Sequence, residues 1–205
     1  MSIVEQPHRV PRPAVHGDLD RIRLLTASHP VPDARGLAAA TEVEALARGL
    51  RRDDLLLVLL SGGASALLPS PAEGLTLEDK ARTTALLLRA GATIHELNAV
   101  RKHLSRLKGG RLVRAAFPAR VATLVLSDVV GDDLSTIASG PTVPDGTTFA
   151  LALEVLRRRG VLGSVPGAVC ARLEARAAGG LPETPQPGAA ALRRAATQIV
   201  GSKRL

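Results

Sequence analysis

The chain has 205 residues, of which 45% are hydrophobic and 22% are charged. This composition is typical of one globular domain, or of a large part of a two-domain protein, and argues against a disordered chain. The longest aliphatic run, Leu55 to Leu60, is far shorter than the roughly 20 residues that span a bilayer. Three prolines interrupt the N-terminal segment and leave no apolar signal sequence. We therefore expect a cytoplasmic protein without a membrane partner.

The net charge is +8, because Lys and Arg number 27 and Asp and Glu number 19. Such a charge would ordinarily suggest a nucleic-acid partner. The basic residues are spread along the chain, however, and its only aromatic residues are Phe117 and Phe149, which leaves almost nothing for stacking on bases. We therefore expect no nucleic-acid partner. The alternative is a basic nucleic-acid-binding module, whose affinity for DNA would fall steeply with salt.

The first half of the chain predicts alternating strands and helices. Residues 1–21 are basic and rich in proline, and we expect a flexible arm. Residues 22–27 predict a short strand, and Asp33 is placed to cap an alanine-rich helix that ends near Leu50. The apolar run 55–60 predicts a strand buried on both faces, as in a parallel sheet.

Two capping boxes, which begin at Thr76 and Thr93, predict the next two helices. The apolar and polar periodicity of the second continues through Lys108. Further along, residues 121–126 predict a second buried strand.

Residues 147–159 and 166–178 predict two more helices, and 179–188 a linker rich in Gly and Pro. This order predicts an α/β fold with three layers and a mostly parallel, Rossmann-like sheet. Ligands of such folds bind beyond the carboxyl ends of the strands.

The first candidate site is the segment Ser61-Gly62-Gly63-Ala64-Ser65, which follows the first buried strand. Its backbone amides and hydroxyls could surround a phosphate or carboxylate group. It matches neither the Walker spacing nor GxGxxG. A tight turn that merely needs glycine is the alternative.

The second candidate is the polar side of the helix that begins after Thr93. Five polar residues share it: Asn98, Arg101, Lys102, Ser105 and Lys108. Gly109 and Gly110 follow directly, so cations would flank an amide-rich turn and form an anion site if this side faces a cleft. A solvated basic face is the alternative.

Carboxylates follow the second strand at Asp128, Asp132 and Asp133. Mg²⁺ in proteins commonly takes one or two carboxylates together with phosphate oxygens, so this cluster could hold a metal with its nucleotide. Capping of loop amides is the alternative. His29, between a strand and two prolines, could act as a ligand or as a structural hydrogen-bonding group.

Several long motifs occur in a fixed order: Ser28-His29-Pro30-Val31-Pro32-Asp33, Ser61 to Leu67, Gly91 to Ser105, Lys108-Gly109-Gly110-Arg111-Leu112, Ser127 to Asp133, and Ile137 to Thr142. Together they resemble the glycerate 2-kinase family over about residues 16–205. In that family an N-terminal α/β domain precedes a MOFRL domain, and some members carry the label hydroxypyruvate reductase. The resemblance implies transfer of a phosphoryl group from ATP to D-glycerate with Mg²⁺, giving 2-phosphoglycerate.

The resemblance also implies that the chain is truncated at both ends. An N-terminal Gly-Lys motif and the MOFRL domain have no counterpart, so residues 22–205 would form part of a glycerate-kinase domain within a two-domain enzyme. We therefore expect impaired activity. The alternatives are a non-catalytic ligand-binding remnant and a hydroxypyruvate reductase, and a homo-oligomer remains open.

Residue chemistry and the resemblance together assign roles to individual residues. The assignments are catalysis for Lys102, Lys108 and Asp128; substrate binding for Asn98, Arg101, Ser105 and Ser139; nucleotide binding for Ser61, Gly62, Gly63, Ser65, Gly109 and Gly110; and Mg²⁺ binding for Asp128 and Asp132. The chain departs from the family at Ala64, where the family usually has glycine.

Overall fold

A computed structural model describes residues 2–5, 22–129, 131–177 and 182–202 of the chain. The described strands form two parallel sheets. The first pairs β1 (Ser2–Glu5) with β2 (Leu24–Ala27), and the second has the order β3 (Leu55–Leu60), β4 (Arg120–Ser127), β5 (Ala195–Ser202). The α-helices are α1 (Ala34–Arg48), α2 (Ala64–Leu67), α3 (Leu77–Arg89), α4 (Ile94–His103), α5 (Arg111–Ala116), α6 (Phe149–Arg158) and α7 (Gly167–Ala177).

The predicted helix starts are confirmed. The Asp33 side chain accepts a hydrogen bond from the amide of Gly36 at 3.0 Å and caps α1. Complete capping boxes at Thr76 and Thr93 open α3 and α4. In each box the hydroxyl and a carboxylate three residues later satisfy amides that the first turn leaves free.

Helix α4 is shorter than predicted, because it ends at His103 and not at Lys108. The Ser105 hydroxyl accepts the amides of Leu107 and Lys108, both at 3.3 Å, and turns the chain. Gly109 and Gly110 then take positive φ angles before α5 begins. The polar residues predicted to share one helix side are therefore divided between a helix and a turn.

The three-stranded sheet is covered by helices on one face. On that face Val121, Thr123 and Val125 of β4 are buried, and a core of α1 and α5 side chains packs there. The other face exposes apolar side chains: Leu57 is 56% exposed and Leu59 is 70% exposed. The prediction that strands 55–60 and 121–126 are buried on both faces is therefore wrong, because no described helix covers the second face.

A second core joins α3, α4, α6 and α7. Its largest fully buried side chains are Leu87, Leu104, Phe149, Leu156 and Leu173. This core fixes α4, with its polar residues, against the rest of the domain. None of the described helices has the length and apolar content needed to cross a membrane.

Two segments that were predicted to be irregular contain ordered structure. Ser2–Glu5 pair in register with Leu24–Ala27, so the arm prediction is wrong there, while residues 6–21 lie outside the described part. Of the predicted linker 179–188, residues 182–188 are described. There Thr184 is buried, and the carbonyl of Pro185 accepts the Asp145 amide at 2.9 Å. Strand β5 was not predicted.

Candidate functional site

A network of buried and half-buried polar side chains lies where the loop after β3 meets the turn after α4. The hydroxyls of Ser65 and Ser139 are 2.9 Å apart, and Ser139 donates to Oδ1 of Asn98 at 2.9 Å. The ammonium of Lys108 lies 3.1 Å from both Oγ and the carbonyl of Ser65. The structure thus brings together four predicted site residues that are far apart in the sequence.

Lys108 is almost fully buried, and no acid among the described residues pairs with it. Its third contact is the carbonyl of Ala138 at 3.3 Å. Burial, followed by the charges of Arg101 and Lys80, lowers the pKa of Lys108 well below its usual value. The charged neighbours that act on Lys108 are therefore cations, and an anionic ligand would stabilise the protonated ammonium.

The glycine turn after β3 has amides available for a ligand. Within the described residues, the amides of Gly62, Gly63 and Ala64 donate no hydrogen bond. The exposed Asp128 carboxylate lies against Gly62, where an added Cβ would collide with Oδ2. Ala64 begins helix α2, so its methyl group occupies an ordinary helical position, and Ser61 is exposed at the end of the strand.

The loop that carries Ser139 has a strained backbone. Ala138 and Ser139 have φ angles of 52° and 61°, which are uncommon for residues other than glycine. Such strain costs about 1–3 kcal/mol per residue and tends to cluster at functional sites. Two hydrogen bonds hold the loop: the Gly109 amide donates to Ser139 at 3.0 Å, and the Gly110 amide donates to Gly140 at 2.7 Å.

The contacts of this loop correct part of the nucleotide-site prediction. Since the carbonyls of Ser139 and Gly140 accept the amides of Gly109 and Gly110, neither amide is left for a phosphate group. An added Cβ on Gly110 would also lie 2.8 Å from the carbonyl oxygen of Val143. These two glycines allow close backbone packing and position Lys108.

Two other predicted residues also have structural contacts. Lys102 forms a buried ion pair with Asp145, with Nζ 3.2 Å from Oδ1. Burial raises the pKa of Asp145, but Lys102 and hydrogen bonds from Thr147 outweigh it, and the net pKa is lowered. Ser105 is fully buried and caps the turn after α4. The structure therefore places the Lys102 ammonium on Asp145 and not in the Ser65 network.

The other predicted carboxylates are engaged in the loop after β4. Oδ1 of Asp132 accepts the Ser202 hydroxyl at 2.9 Å. Asp133 accepts hydrogen bonds from Ser135 and Thr136, as the capping alternative predicted. The described residues contain no group of three His, Cys, Asp or Glu side chains arranged to hold a metal ion.

Lys80 belongs to this cation cluster but was not predicted. It is buried in α3, and its Nζ lies 3.5 Å from the carbonyl of Ser70. Burial, followed by the charge of Arg101 and more weakly by those of Arg111 and Arg106, lowers its pKa to about 7. Only four lysines occur in a chain that otherwise uses arginine, and this rarity was the signal that could have identified it.

The chain is similar in sequence to proteins named hydroxypyruvate reductase and glycerate 2-kinase. It is 55% identical over 141 residues to an Agrobacterium vitis protein named for hydroxypyruvate reductase, a match covering 69% of this chain and 32% of that protein. It is 44% identical over 167 residues to a glycerate 2-kinase of Pyrococcus horikoshii, covering 82% of this chain and 38% of the relative. The chain thus spans about a third of the length of these relatives.

A solved structure of glycerate kinase from Thermotoga maritima superposes with a TM-score of 0.83 at 39% sequence identity, covering 97% of this chain and 44% of that one. The predicted three-layer α/β fold with a parallel sheet is thereby confirmed. Residues 2–174 match the family described as "Domain of unknown function (DUF4147)". The chain therefore belongs to the DUF4147 family, and its resemblance to the glycerate 2-kinases is confirmed.

Proposed function

We propose that this chain supplies the phosphate-binding part of a glycerate 2-kinase, which transfers the γ-phosphoryl group of ATP to D-glycerate and forms 2-phosphoglycerate. One observation carries the proposal: the Lys108 ammonium contacts Ser65, directly beside a turn whose glycine amides donate to no described group. The names of the glycerate kinase relatives support the same reaction.

The cations of the site suit this chemistry. Phosphoryl transfer depends on positioning and on stabilisation of the charge that spreads over the phosphoryl oxygens, and little covalent assistance is needed. We assign Lys108 to the transferring phosphoryl group and Arg101 to the phosphoryl group or the glycerate carboxylate. The free amides of the Gly62–Gly63 turn would hold the phosphates of ATP.

Asn98 and Ser139 have a positioning role in this proposal. Ser139 donates to Asn98 and contacts Ser65, so the pair holds the Ser65 hydroxyl near Lys108. The side-chain amide of Asn98 is in turn 3.5 Å from the carbonyl of Thr136. These contacts hold the loop after β3 in place before any ligand binds, which lowers the entropy cost of binding.

Asp128 fits a magnesium ion that is bound mainly by phosphate oxygens. Its carboxylate is exposed and lies against Gly62, beside the turn proposed for the phosphates. Mg²⁺ often uses only one or two protein carboxylates in nucleotide sites. When bound, the ion would neutralise phosphate charge. We assign Asp128 to this role, and Asp132, which is already bonded to Ser202, to a supporting one.

A reductase is the second candidate, because one relative carries that name. Reduction of hydroxypyruvate requires a hydride donor such as a nicotinamide dinucleotide. The turn after β3 lacks the GxGxxG pattern that binds such cofactors. The residue pattern of this turn therefore favours the kinase.

Nucleotide binding tests the proposal directly. Isothermal titration of the chain with MgATP should give saturable binding, which Lys108→Met and Ser65→Ala should weaken. A hydrogen bond to a charged group contributes about 1.5–3 kcal/mol, which corresponds to an increase in Kd of roughly 10- to 150-fold. Arg120→Gln, which removes an exposed cation of β4, is the matched control and should bind like the parent chain.

Circular dichroism of each variant would establish that the fold is retained. Unchanged MgATP affinity in both folded variants would refute the assigned site. Tight NADH binding with hydroxypyruvate-dependent NADH oxidation would favour the reductase.

We expect the 205-residue polypeptide by itself to form 2-phosphoglycerate slowly or not at all, since it spans about a third of its relatives. MgATP binding without turnover, even when the chain is joined to the remaining segments of a relative, would favour the ligand-binding remnant.

A further inference from the structure

A cleft lined by arginines borders the turn that carries Ser105. It has a volume of about 230 Å³ and is bordered by α1, by the turn after α4, and by α5 and α7. Six arginines line it: Arg48, Arg106, Arg111, Arg114, Arg172 and Arg176. None of them belongs to the set assigned to ATP, glycerate or Mg²⁺.

The positive charge of the cleft is only partly balanced. Glu44 pairs with Arg48 at 2.7 Å and with Arg106 at 3.1 Å. Within the described part of the chain, the other four arginines have no carboxylate within 4 Å. Glu73 also borders the cleft, but its backbone carbonyl, and not its carboxylate, accepts a hydrogen bond from Arg172. The cleft therefore has an excess of cations.

Backbone carbonyls hold three of these guanidinium groups in place. Arg111 donates to the carbonyls of Lys102 and Ser105. Arg114 donates to that of Glu183 at 3.2 Å, and Arg172 to that of His103 at 3.2 Å. A guanidinium has five N–H donors, so each group retains donors for a ligand. Nε of the buried Arg111 has no hydrogen-bond partner within the described chain.

The ring of Phe149 helps to order two of the arginines. The guanidinium carbons of Arg111 and Arg176 lie 5.9 and 6.0 Å from the ring centroid, which is the range of cation–π contacts. Both guanidinium groups line the cleft, so Phe149 fixes them there without neutralising their charge.

Burial, and after it repulsion by neighbouring arginines, lowers the pKa of Arg111, Arg114 and Arg172. Burial, followed by the charges of Arg114 and Arg172, lowers the pKa of Arg111 to about 9. Burial and the charge of Arg176 lower the pKa of Arg114 and of Arg172, and the charge of Glu73 opposes the shift of Arg172 more weakly. A bound anion would remove this repulsion and should stabilise the fold.

We propose that this cleft is a binding site for a small ligand with two linked phosphate groups. Guanidinium forks match the geometry of phosphate oxygens and bind them through paired hydrogen bonds. The four arginines that have no carboxylate within 4 Å in the described part of the chain match the several negative charges of a diphosphate. The volume of about 230 Å³ suits a compact ligand of this kind, because sites for larger molecules occupy roughly 300–1,000 Å³.

Inorganic pyrophosphate is the probe that tests the site. Titration calorimetry with the full chain should show saturable binding of pyrophosphate that is tighter than that of orthophosphate. Arg114→Gln and Arg176→Gln should each raise the Kd at least tenfold. Arg89→Gln, an exposed arginine of α3 outside the cleft, is the matched control and should leave the Kd unchanged. Thermal unfolding should show a higher Tm with pyrophosphate for the parent and the control.

The variants separate this site from the proposed kinase site. Loss of pyrophosphate binding in Lys108→Met, with full binding in the two arginine variants, would assign the anion to the kinase site and overturn the proposal. Absence of saturable binding at millimolar pyrophosphate would also overturn it. Loss in the arginine variants with unchanged MgATP binding would support it, whatever the outcome for the kinase.

Discussion

Lys80 and Lys102 are both buried, but within the described residues only Lys102 forms an ion pair with a carboxylate. Lys102 faces the carboxylate of Asp145, whereas Lys80 contacts a backbone carbonyl and is surrounded by the charges of Arg101, Arg106 and Arg111. Burial, and after it these charges, disfavour a charged Lys80 in the folded state, so its pKa falls to about 7 from the usual 10.5. A basic group whose pKa is lower in the folded chain than in the unfolded chain destabilises the fold at any pH where both forms are protonated.

The variant Lys80→Met should raise the free energy of unfolding at pH 6. A pKa shift is worth about 1.4 kcal/mol per pH unit, so the gain should be on the order of several kcal/mol. Between pH 7 and 10.5 the unfolded chain holds the proton that the folded chain has lost, and the stability of the parent rises with pH. The gain should therefore shrink toward zero by about pH 10.5.

Denaturant unfolding at pH 6 and pH 9 measures this effect. Arg89→Met removes an exposed cation from the same helix, and its effect should not depend on pH. Equal stability of the parent and Lys80→Met at pH 6 would show that the Lys80 charge is compensated by a group that the structure does not place beside it.

The turn between α4 and α5 is the element that organises the candidate site, and Gly110 tests its importance. Gly110 has a φ of 74°, and an added Cβ would lie 2.8 Å from the Val143 carbonyl oxygen. Gly91 has a similar φ of 68° with nothing within 4 Å of an added Cβ. Gly91→Ala should therefore cost only the left-handed backbone penalty of about 1–2 kcal/mol.

Gly110→Ala should lower the free energy of unfolding by more, roughly 2–4 kcal/mol, because a steric clash adds to the same backbone penalty. It should also weaken MgATP binding, since the Gly110 amide anchors the loop that carries Ser139. Chemical denaturation of the two variants gives the difference. Equal losses would mean that the 137–140 loop moves aside without cost.

At the scale of the whole molecule, we expect the open face of the sheet to govern self-association. Leu55, Leu57, Leu59 and Leu126 are each more than half exposed there, and contiguous apolar surface promotes association. Leu59→Lys should reduce self-association, observed as a shift toward the monomer in sedimentation velocity, with little change in stability. Leu56→Lys, on the covered face, should instead lower stability by several kcal/mol, because it buries an unpaired charge. A parent chain that is already monomeric at high concentration would contradict this expectation.

Much of the local structure could be predicted from the sequence, because it depends on nearby residues. The caps at Asp33, Thr76 and Thr93 each involve contacts over three residues, and the apolar run 55–60 is a strand in the structure. The end of α4 and the strand β5 were missed. Ser105 stops the helix through its own turn, and β5 is defined by its pairing with β4, more than 70 residues earlier.

The sequence by itself determined the helix starts, the α/β class and the family, since these follow from short motifs and their order. Only the tertiary structure decided which lysine belongs to the candidate site. Lys102 and Lys108 are six residues apart, yet one pairs with Asp145 and the other contacts Ser65, each 43 residues away in opposite directions along the chain. The physical reason is the turn after His103, which directs the two ammonium groups into different surroundings, and no local pattern specifies those partners.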